Sequence, residues 1–446
     1  PALFSPPLNG LRRRLQHQVP PQLRQLQLLR PRKEAIHMSL YVARPPLVHK
    51  KGFENAVGTR KPQIIPKNMG KLRALPTRRP TERLNNNDHW RMSHTSDYAT
   101  TTMAYMSTYA SPLLSAHGAQ PAPADHLAPH TAGVPWHYGN PFGEQRAPLS
   151  LVDRSNRVIL SVTGDDREAF LTNLLSKIIA PGATMALDLD ANGRIQHEMD
   201  VAVTEDEVFL IVSPHEAETL RDYLVAMIFW SKVEITISPL QLVTVFGKHT
   251  PLDAAFARTI PGTPLRTDYG VRDVEAAADA ILQQNGQLAG LMSFEAYRIA
   301  RGEPDHPVDC DEKTIPHEVG LWLAEAVDLD KGCYRGQETV ARVENLGRAP
   351  RALVVTLLDG SVPQLPAPQT PVTLAGRTVG TLGSVVHHHE LGPIALATIK
   401  ASALQRSGEF MAGDCAMSVD KHSLPRPSSG AGRDAINQLR GDKPRA

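Results

Sequence analysis

The chain divides into two parts of opposite charge, and this division limits what can fold together. Residues 1–102 contain 19 Lys and Arg against five Asp and Glu, whereas the rest of the 446 residues contains 29 against 41. Parts with such different charge balance are not expected to form one folded unit. The basic part also has several Pro and little apolar periodicity, which predicts no core. Folded structure is therefore expected only after it.

Residues 1–105 are interpreted as a disordered extension, or as translated sequence upstream of a start at Met103 or Met106. Two functional alternatives stay open. A basic arm binds nucleic acid or a membrane surface, and an Arg-rich, acid-poor beginning is also typical of an organelle targeting segment. Residues 106–146, rich in Ala, Pro, His and Ser, are expected to be a linker.

The pattern changes to short strands and helices after the linker. β-branched and alternating apolar runs predict strands, and Asn192-Gly193 between two of them predicts a hairpin turn. Consecutive strands with few helices indicate an α+β body with antiparallel sheets over residues 147–347, not a doubly wound fold. Short strands punctuated by Gly over residues 348–420 indicate a β-barrel, and the polar residues 421–446 indicate a disordered tail.

The hydrophobic runs and the cysteine spacing exclude some classes of protein. No run of 18 apolar residues is present, so the sequence predicts no transmembrane helix. The three cysteines lack CxxC spacing, which argues against a disulfide framework or a self-contained zinc site and favours a reducing compartment. The run His387-His388-His389 is not interpreted as a metal site, because consecutive strand residues point to opposite faces. No metal is expected.

The most specific chemistry lies in residues 331–338, which read KGCYRGQE. Gly332 and Gly336 flank Cys333 and permit a tight loop with positive φ, so they are interpreted as structural residues of the motif. Good helix formers follow, which predicts a helix N-terminus directly after the thiol. Cys333 is therefore expected on an exposed loop.

The neighbours of the thiol predict its reactivity. The positive end of the helix dipole and the cations Lys331 and Arg335 each favour the thiolate of Cys333. Cys333, Lys331 and Arg335 therefore form the candidate catalytic set. Gln337 and Glu338 are expected to bond free N–H groups at the helix start. A free cysteine is commonly a small core residue, but a core cysteine among cations and glycines is unusual. We therefore favour a reactive sulfur.

The same stretch resembles the signature of the YgfZ-type folate-binding proteins, relatives of the glycine-cleavage T-protein. The resemblance continues in RIARGEP at residues 298–304, IPHE at residues 315–318, VAR at residues 340–342 and RAL at residues 351–353. Four ordered segments at compatible spacing are specific, whereas an isolated KGC would be weak. The similarity covers about residues 147–405. It implies a ring-shaped, GcvT-like α+β body around a central channel, followed by a β-barrel.

The resemblance also implies that tetrahydrofolate or a derivative binds in the channel. A folate needs a carboxylate or amide for its pterin edge, an apolar or aromatic wall, and a cation for its glutamate tail. Glu318 is the candidate for the edge, and Arg298 for the tail or for ordering the cysteine loop. Tyr334 is a candidate wall, with a structural role as the equal alternative, and Gln337 completes the candidate cofactor-binding set.

One difference argues against aminomethyl transfer. The aminomethyltransferase relatives carry an Asp-Asp pair after the glycine turn, where this chain has Gln196 and His197. Glu198 or Asp200 is expected to substitute only with a shifted register, because a one-residue slip turns a strand side chain to the other face. Those relatives also lack the KGC cysteine.

The resemblance therefore implies a folate-binding accessory protein in iron–sulfur cluster assembly or repair, which indirectly supports tRNA modification by iron–sulfur enzymes. Its partners would be folate and iron–sulfur proteins or assembly factors, without direct nucleic-acid or membrane contact. The alternative is a folate-dependent aminomethyltransferase or demethylase, and a third hypothesis is nucleic-acid binding through residues 1–105. A cytoplasmic location is expected, with the mitochondrial matrix as the alternative.

Overall fold

The computed structural model describes residues 109–123, 131–347 and 349–424. The predictions for the basic residues 1–105 and for the tail beyond residue 424 lie outside these ranges. None of the helices in the described ranges combines the length and the hydrophobicity that crossing a bilayer requires.

The described residues form sixteen strands and eight α-helices. The strands are β1 (Ser150–Asp153), β2 (Val158–Thr163), β3 (Met185–Leu189), β4 (Ile195–Val203), β5 (Glu207–Val212), β6 (Glu234–Ile237), β7 (Gln241–Phe246), β8 (Phe256–Ile260), β9 (Arg266–Val271), β10 (Gln287–Ala289), β11 (Arg351–Leu358), β12 (Pro371–Leu374), β13 (Arg377–His388), β14 (Gly392–Lys400), β15 (Phe410–Ala412) and β16 (Cys415–Val419). The helices are α1 (Pro141–Glu144), α2 (Arg167–Leu174), α3 (Pro214–Ala226), α4 (Val274–Leu282), α5 (Leu291–Ala300), α6 (Gly320–Glu325), α7 (Gln337–Leu346) and α8 (Ala401–Leu404).

The strands form two open sheets and a closed barrel. The first sheet has the order β10-β1-β7-β9-β8, the second has the order β3-β4-β5-β2-β6, and the barrel has the order β11-β14-β13-β12-β15-β16. All neighbouring strands are antiparallel except β1 and β10. The prediction of an α+β body with antiparallel sheets and a C-terminal β-barrel is confirmed.

The two faces of the β3–β4 hairpin differ, because one packs in the hydrophobic core and the other faces the candidate site. The Asn-Gly turn forms as predicted, with Asn192 N donating to Asp190 Oδ1 at 2.7 Å and Gly193 at a φ of 73°. Met199 and Val201 on one face of β4 are buried in a hydrophobic cluster with residues of α2 and α3. Because strand side chains alternate, the residues between them point to the opposite face.

The segment predicted as a linker is packed onto the body where the structure describes it. Val134 and Trp136 are buried in a hydrophobic cluster together with residues of α5, and Leu113 is buried against β7 and α4. Ser111 Oγ donates to the Asp153 carboxylate at the end of β1. The Ala- and Pro-rich composition concealed these few apolar anchors, so the expectation of a free linker is corrected.

Candidate functional site

The KGCYRGQE loop presents Cys333 at the surface. The Cys333 side chain is exposed, whereas Cys310 and Cys415 are buried. Helix α7 begins four residues later, and Gly336 is its N-cap residue with a left-handed φ of 82°. A Cβ atom on Gly336 would lie 2.5 Å from the carbonyl oxygen of Asp190, so only glycine fits this close approach to the β3–β4 turn. Gly332 has open space around it and no such requirement.

Lys331 anchors the loop to the rest of the body, and its catalytic role stays a prediction. Its Nζ donates to the carbonyl oxygens of Thr172 and Leu175, at the C-terminal end of α2. The ammonium also lies 4.8 Å from the centroid of the Tyr334 ring. Burial lowers the pKa of Lys331 to about 8. These hydrogen bonds satisfy the last carbonyl groups of α2, as lysine side chains commonly do near a helix C-terminus. They also anchor the loop to the body.

Two further motif residues, Tyr334 and Gln337, hold the loop. Tyr334 is buried in a hydrophobic cluster, and this burial raises the pKa of its hydroxyl to about 12. Gln337 Nε2 donates to the carbonyl oxygen of Lys331 at 3.0 Å. Glu338 is exposed, and no side chain caps the start of α7. The expected capping by Gln337 and Glu338 is therefore corrected: Gln337 bonds a carbonyl of the loop instead of a free N–H group.

Arg298 is fully engaged inside the protein. A guanidinium has five N–H donors, and in Arg298 all five have acceptors. They are Glu295 Oε1 at 2.8 Å and Oε2 at 2.5 Å, Asp309 Oδ2 at 2.9 Å, Ser384 Oγ at 2.6 Å and the Glu303 carbonyl oxygen at 3.2 Å. No donor is left for a folate tail or for the cysteine loop, so both expected roles of Arg298 are corrected.

Glu318 is likewise committed to a protein partner. Its two carboxylate oxygens accept from Arg351 Nε at 3.0 Å and Nη2 at 2.6 Å, and the side chain is buried. The same guanidinium donates to both oxygens of Asp311. The hydrogen bonds that Arg351 donates to Asp311 and Glu318 raise its pKa above the ordinary value. This pairing fastens the segment before α6 to β11, and it contradicts the prediction that Glu318 offers an open carboxylate to a pterin.

A small cavity between β4, the end of β5 and α5 contains carboxylates that the sequence did not assign. Glu198 and Asp200, on the face of β4 opposite Met199 and Val201, line it together with Arg298, and its volume is about 20 Å³. Neither Cys333 nor Glu318 is among the lining residues. The three residues expected to share one site are thus separated.

Glu198 is a carboxyl group of this cavity with a strongly raised pKa. Burial raises the pKa of Glu198 well above its ordinary value, and the nearby carboxylates of Asp200, Asp305 and Glu216 raise it further. The backbone N–H of His306 donates to Glu198 Oε2 at 3.4 Å. A carboxyl group in such surroundings is held as the neutral acid. The signal in the sequence was its place two residues after Gln196, on the strand that follows the Asn-Gly turn.

His197 lies on the opposite face of β4, away from the cavity. Its Nδ1 is 2.8 Å from Asp188 Oδ2, and its Nε2 is 3.0 Å from Thr219 Oγ1. The strand therefore presents Glu198 and Asp200, not His197, to the cavity. The register of β3 against β4 shifts here, because Asp188 lies opposite His197 and Leu189 lies opposite Ile195, so Gln196 is an extra residue of β4. That Glu198 or Asp200 replaces the aspartate pair only with a shifted register stays a prediction.

Comparisons with known proteins agree with this architecture. Residues 351–425 match the family model described as CAF17, C-terminal beta-barrel domain. The solved structure of glycine cleavage system aminomethyltransferase T from Bartonella henselae has a TM-score of 0.59 with this chain at 18% identity, and the match covers 70% of this chain and 95% of that one. The body and barrel therefore share the GcvT-like fold.

Two relatives add sequence similarity. The chain is 28% identical over 271 residues to the tRNA-modifying protein YgfZ of Vibrio vulnificus strain YJ016, which covers 54% of this chain and 79% of the relative. It is 31% identical over 123 residues to the mitochondrial iron-sulfur cluster assembly factor IBA57 of Mus musculus, which covers 27% of this chain and 34% of the relative. The chain is similar in sequence to YgfZ-type proteins. It shares its fold with that aminomethyltransferase.

The fold of this chain is consistent with folate binding, but the cavity at β4 is closed. A cavity of about 20 Å³ has room for one water molecule. Its walls are held by ion pairs, among them Arg157 with Asp305 at 2.7 Å and Arg266 with Glu303 at 2.8 Å. The side chains, as the structure places them, do not fit a pterin in this cavity.

Proposed function

We propose that this chain acts in iron–sulfur cluster assembly or repair and thereby supports tRNA modification by iron–sulfur enzymes. The observation that carries the proposal is the exposed Cys333 on a loop anchored by Lys331 and Gly336. Thiolates bind iron–sulfur clusters and form persulfides and mixed disulfides. Relatives described as a tRNA-modifying protein and as an iron-sulfur cluster assembly factor support the assignment.

The proposal has consequences for partners and location. The partners are iron–sulfur proteins or assembly factors, which reach the thiol at the surface, and neither nucleic acid nor a membrane is required. The cytoplasm is the proposed location. The mitochondrial relatives support the matrix as the alternative.

Replacing Cys333 with Ser is expected to abolish rescue of iron–sulfur enzyme activity in cells that lack the protein. Ser cannot replace a thiolate as a sulfur carrier or soft ligand. Because the side chain is exposed, the free energy of unfolding of the variant should stay within about 0.5 kcal/mol of the wild type. The matched control is Cys415→Ser, a buried cysteine of β16 in the barrel. Full rescue by Cys333→Ser would remove the thiol from the proposal.

A tetrahydrofolate derivative is the cofactor part of the proposal. The GcvT-like fold supports it, and the unpartnered Ser213 hydroxyl beside the cavity offers a polar contact. Entry of a pterin requires the paired side chains around Glu198 to move apart. Titration of the full chain with 5-formyltetrahydrofolate, followed by calorimetry, is expected to saturate. Titration without saturable heat would remove the cofactor and leave the role of Cys333 intact.

The alternative, a folate-dependent one-carbon transferase or demethylase, is favoured by one observation. Glu198 and Asp200 both line the cavity, so β4 supplies two carboxyl groups there even though Gln196 and His197 stand at the aspartate pair. Formation of methylene-tetrahydrofolate by the wild type, and its loss in Glu198→Gln, would identify that activity. A chain that fails to form this product remains an accessory protein.

A further inference from the structure

A polar cluster behind the β3–β4 hairpin has no part in the cavity. Asp188 and His197 lie opposite one another in the paired strands, with Asp188 Oδ2 2.8 Å from His197 Nδ1. Thr219 on α3 holds the other ring nitrogen. Because both nitrogens have partners, the orientation of the imidazole is fixed.

Tyr223 connects this cluster to the cysteine motif. It follows Thr219 by one helical turn, and its ring stacks on the imidazole of His197 with centroids 6.5 Å apart and planes inclined by 20°. Burial raises the pKa of the Tyr223 hydroxyl, the charge of Asp188 raises it further, and a hydrogen bond with Arg335 opposes the shift. The guanidinium carbon of Arg335 lies 5.8 Å from the ring centroid. The phenol thus touches both the hairpin cluster and the motif.

The cysteine loop therefore has two contacts with the β3–β4 hairpin and the Tyr223 side chain that packs on it. Gly336 fits against the turn that joins β3 to β4, and Arg335 reaches the tyrosine that the same two strands support. On the other side of the thiol, Lys331 is bonded to α2. Of these three anchors, only the Arg335 contact is made by an exposed side chain that is free to leave.

We propose that Tyr223 is a positioning residue for Cys333, acting through Arg335, and that Asp188 and His197 hold the phenol in place. The proposal rests on the proposed function, because it takes Cys333 as the reacting group. The contact between the Arg335 guanidinium and the Tyr223 ring is a cation–π interaction. It holds the motif two residues after the thiol, so the loop presents Cys333 in one orientation. Without Tyr223, Arg335 is an ordinary solvated side chain.

The test measures how fast Cys333 in the folded full chain reacts with the aromatic disulfide 5,5′-dithiobis(2-nitrobenzoate). The other two cysteines are buried, so the fast phase reports Cys333. Tyr223→Leu and Arg335→Ala are each expected to slow this phase about threefold or more, the size expected for a lost cation–π contact. Tyr223→Phe keeps the ring and is expected to stay within about twofold of the wild type. Arg342→Ala, an exposed arginine of α7, is the matched control and should change nothing.

The double variant decides between positioning and general loosening. If Tyr223 acts through Arg335, the double variant Tyr223→Leu/Arg335→Ala reacts no more slowly than either single variant, because the two share one interaction. Multiplied effects, or an unchanged rate in Tyr223→Leu, would overturn the proposal. If Tyr223→Leu fails to fold, Arg335→Lys serves in its place, since a lysine lacks the planar guanidinium, and a wild-type rate there is equally contrary. Rescue by Cys333→Ser, by contrast, defeats only the proposed function and leaves these rates unaffected.

Discussion

Arg298→Ala is expected to lower the free energy of unfolding by about 3–5 kcal/mol, the cost of breaking a buried ion pair by removing one partner. The substitution leaves the carboxylates of Glu295 and Asp309 buried without their cation, and Ser384 of the barrel without its donor. Because these acceptors lie on α5, on the loop after it and on β13, the loss loosens the contact between body and barrel as well as the helix. The side chain is only 1% exposed, so solvent cannot replace the lost donors.

The matched control for this prediction is Arg301→Ala, one helical turn later. Arg301 is partly exposed, and its Nε is 3.9 Å from the nearest Glu303 oxygen. Such pairs contribute less than about 1 kcal/mol. Urea unfolding followed by far-ultraviolet circular dichroism measures both variants. A wild-type midpoint for Arg298→Ala would show that the five hydrogen bonds do not hold the interface, and would restore Arg298 as a candidate ligand.

The two arginine positions illustrate what a sequence motif can and cannot predict. Arg298 lies on α5 beside a cavity. The RIARGEP match carries no information on its acceptors, because Asp309 and Ser384 are separated from it by 11 and 86 residues. Glu318 was misjudged for the same reason, since its partner Arg351 comes from the first barrel strand. A motif fixes a position in the fold, whereas availability for a ligand depends on distant residues.

The strands also include some that the sequence predicts and one that it does not. Apolar residues that alternate or run continuously predict strands over residues 195–203, 207–212 and 241–246, and these are the bounds of β4, β5 and β7 in the structure. Strand β9 was not predicted. Its residues Arg266, Thr267 and Asp268 are polar, yet all are buried, since Arg266 Nη2 and Asp268 Oδ2 form a pair at 2.9 Å. Hydrophobic periodicity cannot detect a strand whose inner face is made of paired charges.

Glu198→Gln is expected to make the chain more stable than the wild type at pH 8 and nearly equal to it at pH 4.5. Burial raises the pKa of Glu198 well above its ordinary value, so the native state keeps a proton that the unfolded state loses as the pH rises above about 4.5. The carboxyl's contribution to the free energy of unfolding is therefore fully present below the ordinary pKa and falls as pH rises toward the native pKa. Gln, which is neutral at every pH, does not lose this contribution.

The size of the difference depends on how far the native pKa of Glu198 lies above the ordinary one. Between these two pKa values, the stabilities of the two proteins should diverge by about 1.4 kcal/mol for each pH unit. Urea unfolding at pH 5, 7 and 9 measures the divergence, and comparison of variant with wild type cancels the titration of other groups. Glu218→Gln, an exposed position on α3, is the control and should show a constant offset. A difference that fails to grow with rising pH would mean that the native pKa of Glu198 is not raised and that the carboxyl group is ionised in the native state at neutral pH. The arginines that line the cavity would then face a carboxylate, and an anionic ligand would have to compete with Glu198 for them.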